Sequence, residues 1–456
     1  MSGETTKKQL YVATFGCQMN EYDSERMVGL LAGQDYAQTS DITQADLILL
    51  NTCSIREKAE MKVYSFLGRL KALKQKKPHL IIGVSGCVAQ QQGRRLLEDV
   101  PHLDLVVGTH DVSRLPELVA EVIRAGRPVL STDFNQAPFR ALPALPAPPR
   151  PGRVKAFLTI MQGCDNFCSY CVVPYVRGHE VSRPPEDILD EARALLAGGV
   201  KEIMLLGQNV NSYGRRLRPE VSFAALLRRV AELPGLLRLR FTTSHPKDLS
   251  PDLIQALAEI PVLCRHIHLP VQAGSNVILA AMRRRYTREQ YLERIAALRA
   301  ACPDLAVTTD VIVGFPGETG SDFEQTLDLI ERVRFDGLYS FKYSDRPMTQ
   351  ASRLEQKLDE AVKGERLTRL QARQREMVLA RHREMVGQEV EVLVEGASKR
   401  TAGQLTGRTR TNKIVNFSGP DGLIGRLARV RIAEGFANSL RGELSAEGEA
   451  GLASTS

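Results

Sequence analysis

The 456-residue chain contains no tryptophan, and its aromatic residues make up only 5%. That scarcity argues against a platform of rings on which single-stranded nucleic acid stacks its bases. No apolar run approaches the ~20 residues that a membrane span needs, so no membrane partner is expected. Met1 to Leu10 is polar and charged, unlike a signal peptide, which points to a cytoplasmic protein. Cysteine is sparse as well, at eight. In a reducing compartment such cysteines read as metal ligands or catalytic groups before they read as disulfides. The net charge is only +8, and nearly all of it lies in 361–440, where about 15 Lys/Arg meet about 8 Asp/Glu. A basic C-terminal module on a near-neutral body suits a polyanion such as RNA or DNA, with a merely solvated basic face as the alternative. The length allows roughly two to four domains, each with its own core.

Six of the eight cysteines fall into two patterns. Cys164, Cys168 and Cys171 form a C-x3-C-x2-C run directly after the apolar stretch Val154 to Met161. A 4Fe-4S cluster normally takes four thiolates, one per iron. Three of them leave one iron open to a substrate. Zinc is the competing reading, but structural zinc takes four ligands, usually as paired C-x2-C units. Cys264 and Cys302 sit singly in apolar surroundings and read as buried small hydrophobes. The spacing resembles the cluster loop of the radical S-adenosylmethionine (SAM) superfamily. That likeness implies SAM chelated at the open iron and cleaved to a deoxyadenosyl radical when the cluster is reduced.

The first 130 residues repeat one pattern at a period of about 35. Leu10 to Phe15 runs into Gly16-Cys17, Asp46 to Leu50 into Asn51-Thr52-Cys53, and Leu80 to Val84 into Ser85-Gly86-Cys87. A fourth unit, Asp104 to Gly108, has no cysteine. Short apolar runs alternating with helical stretches such as Glu57 to Leu73 predict βαβ units on a parallel sheet. Ligands of such sheets bind beyond the carboxyl ends of the strands, where Cys17, Cys53 and Cys87 all fall. One site gathering all three is expected, against the alternative of three unrelated strand-end thiols.

A Pro/Ala-rich linker is expected over 133–153, between an N-terminal domain at 8–125 and a second domain at 154–385. Six strand-like runs follow it: Val154–Met161, Lys201–Leu206, Leu237–Thr242, His266–Leu269, Val307–Val313 and Leu338–Tyr343. Separated by helices such as Pro185–Leu196 and Arg288–Ala300, they predict a partial (β/α)6 barrel. The polar strings fall in the loops after the strands, among them Gly207 to Gly214, Ser244-His-Pro246, Pro270-Val-Gln272 and Gly314 to Glu318. Loop position makes Gln208, Asn209 and Glu318 candidate SAM or substrate contacts, with plain loop structure as the alternative. After a charged helical stretch from Leu354 to about Met385 the period shortens to two, in Glu389–Glu395 and Ala428–Ile432. This predicts a small antiparallel β-barrel over 386–446, then a disordered tail at 447–456. Arg408, Arg410, Lys413, Arg429 and Arg431 are its candidate RNA contacts, suited to the backbone and shape of a folded RNA.

In this order the three modules resemble the radical SAM methylthiotransferase family: an N-terminal three-cysteine domain, a radical SAM core and a C-terminal TRAM domain. The likeness runs from about Lys8 to Leu444 and is strongest to the MiaB-type, tRNA-modifying branch. It is carried by Asn51 to Glu60, Cys171 to Gly178, Glu180 to Pro184 and Phe241 to Pro246. Ala273 and Met348 depart from the family pattern, where Ser and Gly are usual. The resemblance implies two 4Fe-4S clusters: Cys164, Cys168 and Cys171 hold the one that cleaves SAM, and Cys17, Cys53 and Cys87 hold one whose open iron carries sulfur. One SAM would methylate that sulfur. Another would yield the radical that takes hydrogen from carbon 2 of isopentenyladenosine beside the tRNA anticodon. Implied partners are a tRNA anticodon stem-loop, a flavodoxin- or ferredoxin-type electron donor, a sulfur source and iron–sulfur assembly or carrier proteins. Such a C–H offers no handle for acid–base activation, so no His or carboxylate is assigned as catalyst. The rivals are methylthiolation of a ribosomal-protein aspartate or of threonylcarbamoyladenosine in tRNA, and a non-catalytic metal-containing RNA-binding protein.

Overall fold

The computed structural model describes residues 7–54, 57–134, 152–399 and 401–445. The expected tail at 447–456, and the expected linker apart from its ends, lie outside these residues. The chain forms two compact units. One combines the chain up to residue 134 with Phe157–Asp165 and Val172–Ala194; the other holds 152–156, Asn166–Cys171 and the chain from Leu195 onward.

In the first unit, Lys8–Phe15 (β1), Tyr36–Gln38 (β2), Leu47–Thr52 (β3), Ile81–Gly86 (β4), Leu105–Val107 (β5) and Val129–Ser131 (β6) make one sheet in the order β2-β1-β3-β4-β5-β6. Every pairing in it is parallel. The helices are Gln18–Ala32 (α1), Glu57–Lys76 (α2), Cys87–Gln92 (α3), Arg94–Asp99 (α4) and Leu115–Ala125 (α5). Alternation along β3 separates two cores. Leu47 and Leu49 pack with Met27, Leu31, Leu118 and Val119 on one face. Ile48 and Leu50 pack with Val63, Leu67 and Leu96 on the other. Covered on both sides, the central strands read as continuous apolar runs, which is why the sequence showed them. The three-residue edge strands β2 and β6 carry too short a pattern to be seen that way.

Strands Lys155–Thr159 (β7), Met161–Gln162 (β8) and Val181–Ser182 (β9) precede the barrel, with helices Val173–Arg177 (α6) and Pro185–Ala197 (α7). In the second unit the Val154 carbonyl accepts from the Lys201 and Glu202 N–H groups at 2.7 and 3.0 Å. Parallel strands Glu202–Leu206 (β10), Arg238–Thr242 (β11), His266–His268 (β12), Ala306–Val313 (β13) and Gly337–Lys342 (β14) alternate with helices Phe223–Ala231 (α8), Pro251–Glu259 (α9), Asn276–Ala281 (α10), Arg288–Ala301 (α11) and Gly320–Val333 (α12). This is the expected partial barrel. Cys264 and Cys302 are buried in it.

Helix Glu360–Glu384 (α13) leads to Glu389–Ala397 (β15), Gln404–Thr409 (β16), Ile414–Ser418 (β17), Leu427–Gly435 (β18) and Leu440–Leu444 (β19). These close in the order β15-β16-β17-β19-β18 around Val392, Val415, Phe417, Val430 and Ile432. All the pairings are antiparallel except β17 with β19.

This small barrel is fastened to the amino ends of β10 and β11. Arg238 donates to the Arg408 carbonyl and to Glu391, and Arg240 donates to Glu202 at 2.9 Å and to the Thr409 carbonyl at 2.8 Å. In return the Arg410 guanidinium donates to the carbonyls of Pro261 (2.6 Å) and Leu263 (3.2 Å), while Lys413 pairs with Asp336 at 2.7 Å. In parallel barrels this end serves stability, and chemistry uses the carboxyl ends.

Candidate functional site

In the first unit Phe15 stands opposite Thr52 and Thr52 opposite Gly86, so β1, β3 and β4 end level. Cys17, Cys53 and Cys87 follow at once. The chain winds from β1 to β2 one way and from β3 to β6 the other, which makes this the point where strand order reverses and ligands bind. Cys17 is the N-cap of α1, and Asn20 Oδ1 accepts from its backbone N–H at 3.3 Å and its thiol at 3.4 Å. Asn20 in turn donates to Asn51 Oδ1 (3.0 Å), and Asn51 donates back to the Asn20 carbonyl (2.8 Å). Both asparagines are fully buried, so this amide pair locks the start of α1 to the end of β3.

Gly86 has φ +91°, and a Cβ there would lie 2.5 Å from Asn51 Oδ1 and from the Thr52 carbonyl oxygen. Gly86→Ala is therefore expected to push Cys87 out of register and lower iron per chain after reconstitution. Gly68→Ala, where a Cβ meets nothing within 4 Å, is the control and should keep its iron.

The trio is electrostatically prepared. A hydrogen bond with Cys53, then the Arg177 cation and the backbone N–H groups of Asn20 and Met19, draw the Cys17 pKa down to about 6 against its burial. Burial pushes Cys87 up, with Arg177 opposing it. Arg177 is itself buried and donates to Asp23 at 2.9 Å. Thiolate is the form that binds metal, so two thiols beside a buried cation, with Cys53 bonded to one of them, fit a cluster. No three His, Cys, Asp or Glu among the described residues converge as they would on a single ion. A cubane needs no such convergence, because each thiolate takes its own iron.

The second trio is divided between the units. Cys168 and Cys171 share one turn, with the Cys171 N–H donating to the Cys168 carbonyl at 3.0 Å. Cys164 belongs to the first unit, where its N–H donates to the Gly178 carbonyl at 3.2 Å. Around the carboxyl ends of β10, β11 and β12, the second unit leaves a row of buried polar atoms without partners. They are Gln208 Oε1, Thr243 Oγ1, Ser244 Oγ, His245 Nε2 and Gln272 Oε1. Orphans of this kind are costly, and several at one strand edge call for a polar ligand. Burial, then nearby Arg284 and Lys247, push the His245 pKa far down, so its ring is neutral. Its Nδ1 accepts from the Lys247 N–H at 3.2 Å, which leaves the hydrogen on the orphaned Nε2. Gln272 also has φ +74°, an uncommon backbone for a residue with a side chain. An edge supplying both acceptors and donors fits SAM, with its ammonium, carboxylate and ribose hydroxyls.

Among the expected SAM contacts, Gln208 has a buried Oε1 without a partner. Asn209 is spent within the protein, donating to Asp248 at 2.8 Å and accepting from the His245 N–H at 3.1 Å. Glu318 accepts from the Gly314 N–H at 2.7 Å and pairs with Arg366. Both are thus bonded within the protein, and each keeps hydrogen-bonding capacity beyond these contacts. Thr243, Ser244, His245 and Gln272 were not singled out, although their strings stood out as polar loops after strands.

The expected RNA contacts also divide. The charges of Arg410 and Lys413 are used in fastening the small barrel, and Arg408 pairs with Glu395 at 3.1 Å. Arg429 and Arg431 face outward from β18 and are exposed, opposite Glu391 and Glu389 of β15. These two are the exposed members of the expected set, and the other three are half-buried.

Residues 9–108 match the uncharacterised family UPF0004, 158–330 the radical SAM superfamily and 383–445 the TRAM domain. The tRNA-2-methylthio-N(6)-dimethylallyladenosine synthase of Geobacter metallireducens is 55% identical over 440 residues, covering 96% of this chain and 99% of the relative. The protein of the same name from Syntrophus aciditrophicus is 52% identical over 442 residues, 97% of this chain and 95% of the relative. Among solved structures, the radical SAM methyltransferase TsrM from Kitasatospora setae, with tryptophan and a SAM analogue bound, aligns at TM-score 0.56 and 14% identity. That alignment covers 76% of this chain and 75% of the other, and it is a likeness of fold. With the relatives matched almost end to end, the chain belongs to the radical SAM methylthiotransferase family, in the branch whose members are named tRNA-2-methylthio-N(6)-dimethylallyladenosine synthase.

Proposed function

We propose that this protein adds a methylthio group to carbon 2 of N(6)-isopentenyladenosine at tRNA position 37, giving 2-methylthio-N(6)-isopentenyladenosine. The observation that carries the reading is the level placement of Cys17, Cys53 and Cys87 at the switch point, in a chain that has a second trio at Cys164, Cys168 and Cys171. SAM cleavage alone would need one trio; sulfur insertion gives the other its purpose. Each trio would hold one 4Fe-4S cluster, and these groups supply, when bound, reductive cleavage of SAM and the sulfur to be inserted.

The chain's own residues bind and orient. Gln208 and Gln272 offer acceptor oxygens, and neutral His245 offers a donor, to SAM at the carboxyl ends of the strands. His245→Leu is expected to weaken SAM binding about tenfold, ~1.4 kcal/mol, by titration calorimetry under anaerobic conditions. Binding unchanged within error would remove His245 from the SAM site. Arg429 and Arg431 would hold tRNA phosphates, so replacing each with Gln should weaken tRNA binding and lower the salt slope by about one unit per residue. The reading assigns the three modules to 8–125, 154–385 and 386–446. A flavodoxin- or ferredoxin-type donor and iron–sulfur assembly proteins are the partners such chemistry requires.

The decisive test is nucleoside mass analysis after anaerobic reconstitution, with isopentenylated tRNA, SAM and a reductant. Methylthiolated adenosine is the expected product. Its absence, with the group appearing on a ribosomal-protein peptide instead, would overturn the reading in favour of the aspartate-modifying activity.

A further inference from the structure

Arg284 lies between α10 and α11 and is 3% exposed. Its three nitrogens are all engaged. Nη2 donates to the Pro270 carbonyl at 2.6 Å, Nε to the Tyr286 hydroxyl at 3.0 Å, and Nη1 to the Tyr170 hydroxyl and the Cys168 Sγ, both at 3.3 Å. Other buried arginines of this unit are each paired with a carboxylate: Arg238 with Glu391, Arg240 with Glu202, Arg288 with Asp328. Arg284 forms no carboxylate ion pair among the described residues. A buried cation is expensive without a counter-charge. As a cluster ligand the Cys168 sulfur is a thiolate, and it supplies that counter-charge.

We infer that Arg284 is a positioning residue for the reductive step, its buried cation on the Cys168 sulfur raising the reduction potential of the cluster that this cysteine helps to hold. This rests on the reading of Cys168 as a cluster ligand. The step is a one-electron transfer from a flavodoxin- or ferredoxin-type donor, which is oxidised as the cluster is reduced. No bond forms or breaks and no proton moves, so the site gains one negative charge. A fixed cation donating to a ligand sulfur favours the more negative state, since net charge and hydrogen bonds to sulfur set such potentials. Pro270, Tyr286 and Tyr170 grip the guanidinium on its other sides, so it cannot swing away from the sulfur when the charge changes.

The test uses full-length protein with Cys17, Cys53 and Cys87 replaced by Ala, so that one cluster remains. This parent and its Arg284→Lys and Arg284→Gln derivatives are reconstituted anaerobically and assayed for iron and sulfide. They are then poised at fixed potentials and read by electron paramagnetic resonance. Arg284→Gln should lower the ratio of reduced to oxidised cluster about tenfold, ~59 mV for one electron. Arg284→Lys, which keeps the charge, should stay much closer to the parent. Intact iron with an unmoved ratio in Arg284→Gln, or equal shifts in both variants, would overturn the inference. If Arg284→Gln fails to fold or to bind iron, Tyr286→Phe decides, because it frees one side of the guanidinium: a lowered ratio supports the assignment and an unmoved one overturns it. A parent without iron would refute the ligand reading beneath it, a separate result.

Discussion

Replacing Cys17, Cys53 and Cys87 together by alanine is expected to halve the iron bound after anaerobic reconstitution and to abolish methylthiolation, while SAM cleavage persists. The three thiols end adjacent strands at one level, so they act as a set. The core that forms the sheet is built elsewhere, from Leu47, Leu49, Ile48 and Leu50 and the helices against them. Removing three sulfur atoms from the strand ends therefore should spare the fold. Cys164, Cys168 and Cys171 stay in place and with them the second iron site. Iron content equal to that of the parent would sink the N-terminal cluster, and loss of SAM cleavage would show that the two sites are not separable.

A second large effect is expected far from the chemistry. Arg240→Leu should destabilise the second unit by about 3–5 kcal/mol, because it leaves Glu202 charged and unpaired in the interior. The side chains of Arg240 and Glu202 are 1% and 3% exposed, so water cannot make good the loss. The carbonyl of Thr409 loses its donor as well. Replacing both residues together by leucine should recover most of the stability, since a buried pair is often matched by well-packed apolar groups. Chemical denaturation followed on the single and double variants measures this. A single variant within about 1 kcal/mol of the parent would show that the pair does not hold the small barrel in place.

The parts of the fold legible in advance were those whose signal is local. β3 and β4 are apolar runs because they are covered on both faces, and β18 alternates because one face is core and the other solvent. Gln208 and its neighbours were visible as polar loops after strands, but which of their atoms lacked a partner was not. Asn209 and Glu318 occupy the same kind of loop and prove to be bonded to Asp248 and to Gly314 with Arg366. Whether such a group is free is a property of residues many positions away.

Cation placement divides on the same line. Spacing in the sequence determined the two cysteine trios and their position at strand ends, because a strand followed directly by a turn needs no distant partner to be recognised. Tertiary structure alone decided which charges serve them: Arg177 beside Cys17 and Cys87, Arg284 on Cys168, and Arg410 and Lys413 turned inward while Arg429 and Arg431 remain in solvent. A guanidinium carries the same charge wherever it stands. Only long-range packing settles whether it faces water, a carboxylate or a sulfur.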